Sequence, residues 1–345
     1  MFFSVCVCLY NVEKYFPEGL GYLLRQTFGD FEILLIDDGS TDRTPELCDR
    51  AARTDSRIRV FHQKNIGLGG ARNKAIEAAA GKYLCFYDVD DAVAPDWLAL
   101  LHDNLAAKMP QLLVYGYREI NERYRTITRC AFEAHDYDSR EALRAGYVEN
   151  LSGMKFNNGF AWNKVYSRAF VMEHGLRFSD MRIQQDEVFN HALYLQADRV
   201  AVIADVLYDY YIRGGNIRSR YIPDRTAIFC RVRASFLHLC DAWALSDDCF
   251  LAYIHERFIK SLVFNGNKEG RGAELKAAVQ LPETRESLEF LLSERGRKSR
   301  PAGSFVFNAY LRALQKRSLW AVRSIDIASA LLTKTKYRLK KLSGR

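Results

Sequence analysis

A chain of 345 residues that is 48% hydrophobic and 27% charged is long enough for one large or two unequal domains and too apolar for intrinsic disorder. The net charge of +8 invites nucleic acid, but the excess gathers toward the C-terminus and no nucleic-acid-binding module is present, so no such partner is expected. Eight cysteines without Cys-x-x-Cys or zinc-like spacing, no run of ~20 uncharged apolar residues and no basic stretch before Phe2 exclude a zinc module, a spanning helix and a visible secretion signal. The expectation is a cytoplasmic protein with reduced, mostly buried thiols.

Over the first 115 or so residues, short apolar runs alternate with helical patterns, the mark of βαβ units and a mainly parallel sheet. Strands are predicted at Phe2–Leu9, Glu32–Ile36, Ile58–Phe61, Lys82–Tyr87 and Leu112–Tyr115. Helices are predicted at Val12–Gln26, Thr44–Arg53, Leu68–Ala79 and Pro95–Lys108, with Pro45 and Pro95 in first-turn positions. From Glu119 to Leu151 the signals are mixed and assign no element. A strand follows at Val200–Tyr211, and beyond Pro223 the pattern is helical to the end, interrupted at Gly266–Gly272 and Arg295–Gly303. After Asp326 no acidic residue occurs, while Lys334, Lys336, Arg338, Lys340, Lys341 and Arg345 interleave with Leu331, Leu332, Tyr337, Leu339 and Leu342. That pattern suits a helix lying on anionic lipid, each base contributing roughly 1 kcal/mol; a solvated basic tail is the alternative.

In open α/β sheets, ligands bind at the carboxyl ends of strands. The second predicted strand ends in Asp37-Asp38-Gly39-Ser40-Thr41-Asp42, which sets an acceptor for a base or ribose beside a helix N-terminus suited to phosphate. A plain capped turn would look similar. The fourth ends in Asp88-Val89-Asp90-Asp91; along an extended segment Asp88 and Asp90 would point the same way, toward one hard cation, and the alternative is a solvated acidic turn. Between them, Asn65-Ile66-Gly67-Leu68-Gly69-Gly70-Ala71-Arg72-Asn73 is a glycine-rich helix entry that lets backbone approach a ligand, with Arg72 available to a phosphate or base.

These ordered motifs, with Tyr10-Asn11-Val12-Glu13-Lys14-Tyr15 and Leu24-Arg25-Gln26-Thr27, closely resemble the start of glycosyltransferase family 2. The resemblance implies a GT-A fold, Rossmann-like, with a mainly parallel sheet, flanking helices and here a mostly helical C-terminal region. It also implies a nucleotide-sugar donor, Mg2+ or Mn2+, and inversion at the anomeric carbon. Carried over residue by residue, Asp38 would bind the nucleobase, with Tyr10, Asn11 and Glu13 lining the nucleotide pocket and Arg72 near base or phosphate. Asp90 would be the metal ligand of an Asp-x-Asp motif, with Asp88 close to ribose and metal.

Downstream, Gln184-Gln185-Asp186-Glu187 matches the family's Glu-Asp pair, with Gln185 standing where glutamate is common; Asp186 is the implied catalytic base and Glu187 the alternative. Ala161-Trp162-Asn163-Lys164-Val165-Tyr166 resembles the tryptophan-containing stretch before that base, Trp162 serving either as core or as a sugar-stacking residue. Tyr210 to Ser219 resembles the loop over donor phosphates, so Arg213 and Arg218 are assigned to phosphate contact, with solvated arginines as the alternative.

The implied domains are 1–222, divided into a nucleotide-binding half (1–118) and an acceptor and base half (119–222), and a helical region over 223–345 that docks to a membrane or partner. The expected enzyme moves a sugar, from UDP by preference, to a glycan or lipid-linked acceptor in surface polysaccharide synthesis, peripheral to the inner face of the cell membrane. A sugar-1-phosphate nucleotidyltransferase and a non-catalytic nucleotide-sugar-binding relative are the rival readings. The former's glycine-rich loop with arginine is missing after the first strand, where Leu9-Tyr10-Asn11-Val12-Glu13 stands.

Overall fold

A computed structural model describes residues 1–325 apart from 107, 155–158, 214–221, 223, 267–271, 301–304, 319 and 323. The chain divides into two compact units, residues 1–216 and 217–345.

The first unit opens with β1 (Phe3–Leu9), α1 (Phe16–Leu24), β2 (Phe31–Asp37), α2 (Thr44–Thr54), β3 (Ile58–His62), α3 (Leu68–Ala78) and β4 (Tyr83–Phe86). These strands pair in parallel in the order β3-β2-β1-β4. All seven residues of β2 are buried, as a strand covered on both faces requires. Because α1 carries the chain to one side of β1 and α3 returns it to the other, the crevice at the carboxyl ends of β1 and β4 is a topological switch point.

Helix α1 buries Phe16, Leu20 and Leu23 on one face and brings Gly19 against the segment after β4. A methyl group at Gly19 would stand 1.9 Å from the Val89 carbonyl oxygen, so only glycine permits that approach.

The sheet then becomes mixed. After β5 (Ala92–Val93) and α4 (Trp97–Ala106) come β6 (Leu112–Asn121), β7 (Thr126–Cys130), β8 (His135–Tyr137), α5 (Arg140–Gly146) and a π-helical turn over Tyr147–Leu151. Next are β9 (Lys164–Ser167), α6 (Arg168–Glu173), α7 (Gln185–Gln196) and β10 (Val200–Ile212). Strand β9 lies antiparallel between β4 and β6, and β10 runs parallel to β6 and antiparallel to β5 and β8. The stretch 119–151, to which the sequence assigned no element, therefore holds the end of β6, two short strands and a helix. Strand β7 escapes detection because four of its five residues are exposed, leaving no apolar alternation.

The second unit is helical over its described residues: α8 (Arg225–Ala242), α9 (Asp248–Gly266), α10 (Gly272–Ala278), α11 (Pro282–Leu292), α12 (Glu294–Lys298) and α13 (Phe305–Gln315). The break expected from Arg295 begins later, since Ser293 caps α12 by accepting from Gly296 N–H at 3.0 Å. Its core includes Phe236, Leu239, Phe250, Phe258 and Leu291. Buried among them is a polar knot in which Arg233 Nε donates to Ser287 Oγ at 3.1 Å, and His255 Nδ1 lies 3.0 Å from that same oxygen. Among the described residues no helix is long and apolar enough to cross a membrane. All eight cysteines are free thiols.

Candidate active site

At the carboxyl end of β1, Tyr10 is half exposed. Asn11 turns the chain with a left-handed φ of 52°, and its Oδ1 accepts from Thr41 N–H at 2.8 Å. Glu13 accepts from Arg43 N–H at 3.0 Å, while its own N–H donates to Asp42 Oδ2 at 3.0 Å. The side chains of Asn11 and Glu13 thus clamp the loop after β1 to the loop after β2.

Asp37 and Asp38 part company at the end of β2. Asp37 accepts from Ser40 N–H at 3.0 Å and lies 2.8 Å from His62 Nδ1. Asp38 accepts from Ile66 N–H, Gly67 N–H and Gln63 Nε2, at 3.0, 2.9 and 2.8 Å. Three of a carboxylate's roughly four acceptor positions are used, leaving one open. Asp38 thereby fastens the glycine-rich loop, whose Gly67 takes a φ of +86° that side chains rarely adopt.

Beyond that glycine, α3 presents Arg72 inward, 3% exposed. Its guanidinium lies over the Phe178 ring at 5.1 Å, and Nη1, buried without a hydrogen-bond partner, stands 4.0 Å from Asp186 Oδ2. Burial raises the Asp88 carboxyl to about 6, with Arg72 pulling it down and Asp90 and Asp186 pushing it up. Burial likewise raises Asp186, opposed by Arg72 and Lys164 and reinforced by Glu187. Asp186 sits in the first turn of α7, just after Gln184, which takes a left-handed φ of 64°. Positions 72 and 186 therefore meet, and the charges of both act on Asp88, although nothing in their sequence spacing relates the three.

Residues 88–91 do not form the extended segment that the sequence suggested. Asp91 N–H donates to Asp88 O at 2.9 Å and closes a turn, as a chain returning into β5 requires. Asp88 feels the charge of Arg72, whereas the half-exposed Asp90 meets Arg213, whose Nη1 lies 3.6 Å from Asp90 Oδ2. Arg213 also reaches Glu122 at 3.5 Å and is flanked by the rings of Tyr15 and Tyr211 at 4.8 and 4.6 Å. A cleft of about 110 Å³ opens here, lined by Tyr15, Tyr22, Asp90, Glu122, Tyr211 and Arg213. Asp91 faces inward, accepting from Tyr208 OH at 3.0 Å and Tyr211 N–H at 2.9 Å, and so ties the acidic turn to β10.

Trp162 is core at 2% exposure, stacked on Tyr208 with ring centroids 4.5 Å apart. Glu187 is buried at 5% and packs against Gly159. Arg218 lies outside the described residues. Sequence reading passed over Lys164, which is completely buried on β9; the signal was a lone lysine at the head of the apolar run Val165-Tyr166. It also passed over Asp91 as anything more than a third acid.

A divalent cation fits this donor set. Burial holds the Asp88 carboxyl above the usual carboxylate range, and Asp90 keeps a carboxylate 46% exposed. Among the described residues no three His, Cys, Asp or Glu side chains converge as a protein-only cage. One or two carboxylates sharing an ion with substrate phosphates is the common arrangement for Mg2+.

The mixed α/β sheet, with the acidic turn at its switch point, has the GT-A fold of glycosyltransferases. Residues 4–169 match the model of Glycosyl transferase family 2, and the chain belongs to that family. Glycosyltransferase GlyG of Streptococcus pneumoniae is 32% identical over 222 residues, covering 62% of this chain and 72% of that protein. Of several other curated relatives the chain spans less than two thirds of the length. Among solved structures, S. aureus TarS 1–349 in complex with UDP-GlcNAc is similar at a TM-score of 0.64 and 21% identity, over 96% of this chain and 92% of that one. The mannosyltransferase PcManGT of Pyrobaculum calidifontis, in complex with GDP-Man and Mn2+, is similar at a TM-score of 0.54 and 18% identity, over 92% and 87%.

Proposed function

We propose that this chain is an inverting, metal-dependent glycosyltransferase that moves a sugar from a nucleotide-diphosphate donor, UDP by preference, to a hydroxyl of a glycan or lipid-linked acceptor during surface polysaccharide synthesis. The observation that carries this reading is the buried Arg72 guanidinium 4.0 Å from Asp186 Oδ2, with its charge also acting on Asp88 beside the Asp90 turn. The half at 1–118 would hold the nucleotide, 119–222 the acceptor and base, and 223–345 a docking surface, with the basic tail on the inner face of the cell membrane.

In this reading Asp38 takes the nucleobase through its remaining acceptor position, with Tyr10 beside the base. Asn11 and Glu13 act on the nucleotide pocket by holding the two loops that frame it. Asp90, with Asp88 behind it, would hold Mg2+ or Mn2+, which when bound offsets charge growing on the leaving diphosphate. Arg72 supports the same charge from the buried side and Arg213 from the cleft, and Arg218 is assigned to the same phosphates. Asp186 accepts the proton of the acceptor hydroxyl, which attacks the anomeric carbon opposite the departing diphosphate. Inversion follows from that single in-line displacement. A positioned base of this kind contributes about 10²–10⁴-fold.

Calorimetric titration with UDP and with GDP, each with and without Mn2+, tests the donor site. Wild type is expected to bind UDP in a Mn2+-dependent manner, and Asp90→Ala to lose at least about tenfold in affinity. Asp186→Asn is expected to bind the same nucleotide normally while losing transfer. Binding of neither nucleotide, or binding untouched by Asp90→Ala, would overturn the reading.

A further inference from the structure

We propose that Asn73 is a positioning residue for the proposed base: its side-chain amide pins the segment leading into α7 onto α3, and so fixes where Asp186 stands against Arg72. The proposal rests on the reading of Asp186 as the base. Residues 176–184 join α6 to α7 and belong to no helix or strand, so their backbone polar groups need partners elsewhere. Asn73 Nδ2 donates to Phe178 O at 2.9 Å, and Asn73 Oδ1 accepts from Phe178 N–H at 2.8 Å. The amide thus pairs with both polar groups of one residue, as the backbone of a neighbouring strand would. One turn earlier on the same face of α3, Gly69 receives the same segment, since a methyl group there would stand 2.1 Å from Ser179 O and 3.5 Å from Phe178 Cβ. At Gly69, then, the close approach is made by the chain's own carbonyl.

Asparagine is a poor residue for a helix interior because its amide competes for backbone hydrogen bonds. At position 73 that habit is turned on a chain 105 residues away. From Phe178 the constraint passes to α7 through the ring, which stacks on Phe189 with centroids 4.0 Å apart and an interplanar angle of 6°. Phe189 follows Asp186 by three positions on α7 and so lies on the same face. The Arg72 guanidinium lies over the Phe178 ring at 5.1 Å, and its Nη1 stands 4.0 Å from Asp186 Oδ2. Phe178 therefore touches both the helix that carries Asp186 and the cation beside it, and Asn73 sets where Phe178 sits. Helix α3 also begins at the loop that Asp38 fastens through Ile66 N–H and Gly67 N–H, so the loop assigned to the nucleobase and the proposed base share one support.

The test compares the full-length chain with Asn73→Ala. Alanine is the better helix former, so α3 itself is not weakened. Amide hydrogen exchange in peptides covering 176–189 is expected to run about tenfold faster in the variant, while peptides covering β1 to β4 and the Kd for UDP with Mn2+ stay within about twofold of wild type. Transfer, followed as UDP released from a UDP-sugar that wild type turns over, is expected to lose about tenfold in kcat with the donor KM held, because a displaced base loses its geometry for attack. A merely structural asparagine would lower stability in urea and leave that kcat in place. Unchanged exchange over 176–189, a rise spread over the whole sheet, or a wild-type kcat in Asn73→Ala overturns the proposal. Should near-UV circular dichroism show that Asn73→Ala has not folded, Asn73→Asp, which keeps the acceptor for Phe178 N–H and loses the donor to Phe178 O, is judged by the same measures. Full transfer by Asp186→Asn overturns the base assignment and with it the purpose given to Asn73, whatever the exchange shows. An inactive Asp186→Asn beside an Asn73→Ala that keeps its kcat overturns this proposal alone.

Discussion

At Gly19 a single missing methyl group decides where the acidic turn sits. Gly19→Ala would drive its Cβ onto the Val89 carbonyl, between Asp88 and Asp90, and neither backbone can yield alone. The expected result is a loss of about 1–3 kcal/mol in urea unfolding together with weaker Mn2+-dependent nucleotide binding. Normal affinity at reduced stability would show that the turn absorbs the shift. At this scale the sequence singled out Asp38, Asp88, Asp90 and Arg72 because they stand in short contiguous motifs. What was not legible is which neighbours consume each group. Adjacent acids such as Asp37 and Asp38 look alike in sequence, yet one serves a turn and a histidine and the other fastens a loop 25 to 29 residues away.

Among the elements, the pairing of α8, α9 and α11 around Arg233, His255 and Ser287 gives the helical unit its own pH response. Burial first, and Arg233 second, lower His255 to about 4, below the ordinary ~6.5. The unfolded chain therefore takes up a proton before the folded one does. Stability is full above about pH 6.5 and falls as pH drops toward 4, by about 2 kcal/mol at pH 5. Urea unfolding at pH 7 and pH 5 checks this, with the difference expected to shrink in His255→Gln; equal slopes in both proteins would place the proton elsewhere. Amphipathic helices and fully buried strands announced themselves by periodicity, to within a few residues. Strand β9 did not, because a four-residue strand headed by lysine has no period to read, and its antiparallel insertion between β4 and β6 is a tertiary fact.

For the whole molecule, the hydrophobic period of the sequence changes near Pro223, and the two compact units divide after residue 216. The six basic residues beyond Asp326 lie outside the described residues, and their proposed role is testable as a property of the entire chain. Full-length protein is expected to partition onto phosphatidylserine vesicles with strong salt sensitivity, and a chain ending at Asp326 to remain in solution. Equal partitioning would remove the membrane from the account. The seating of β9 against β4 also has a consequence in time. Strands β1 to β4 are complete by Phe86, but the partner that covers the free side of β4 begins at Lys164, and Asp186 follows later still. At about 5–20 residues per second, a ribosome needs several seconds to cover that gap. During that interval the nascent chain carries β1 to β4 without Asp186, and a wholly apolar strand edge waits for its neighbour. The hazard of misassembly during synthesis is therefore concentrated at that open edge.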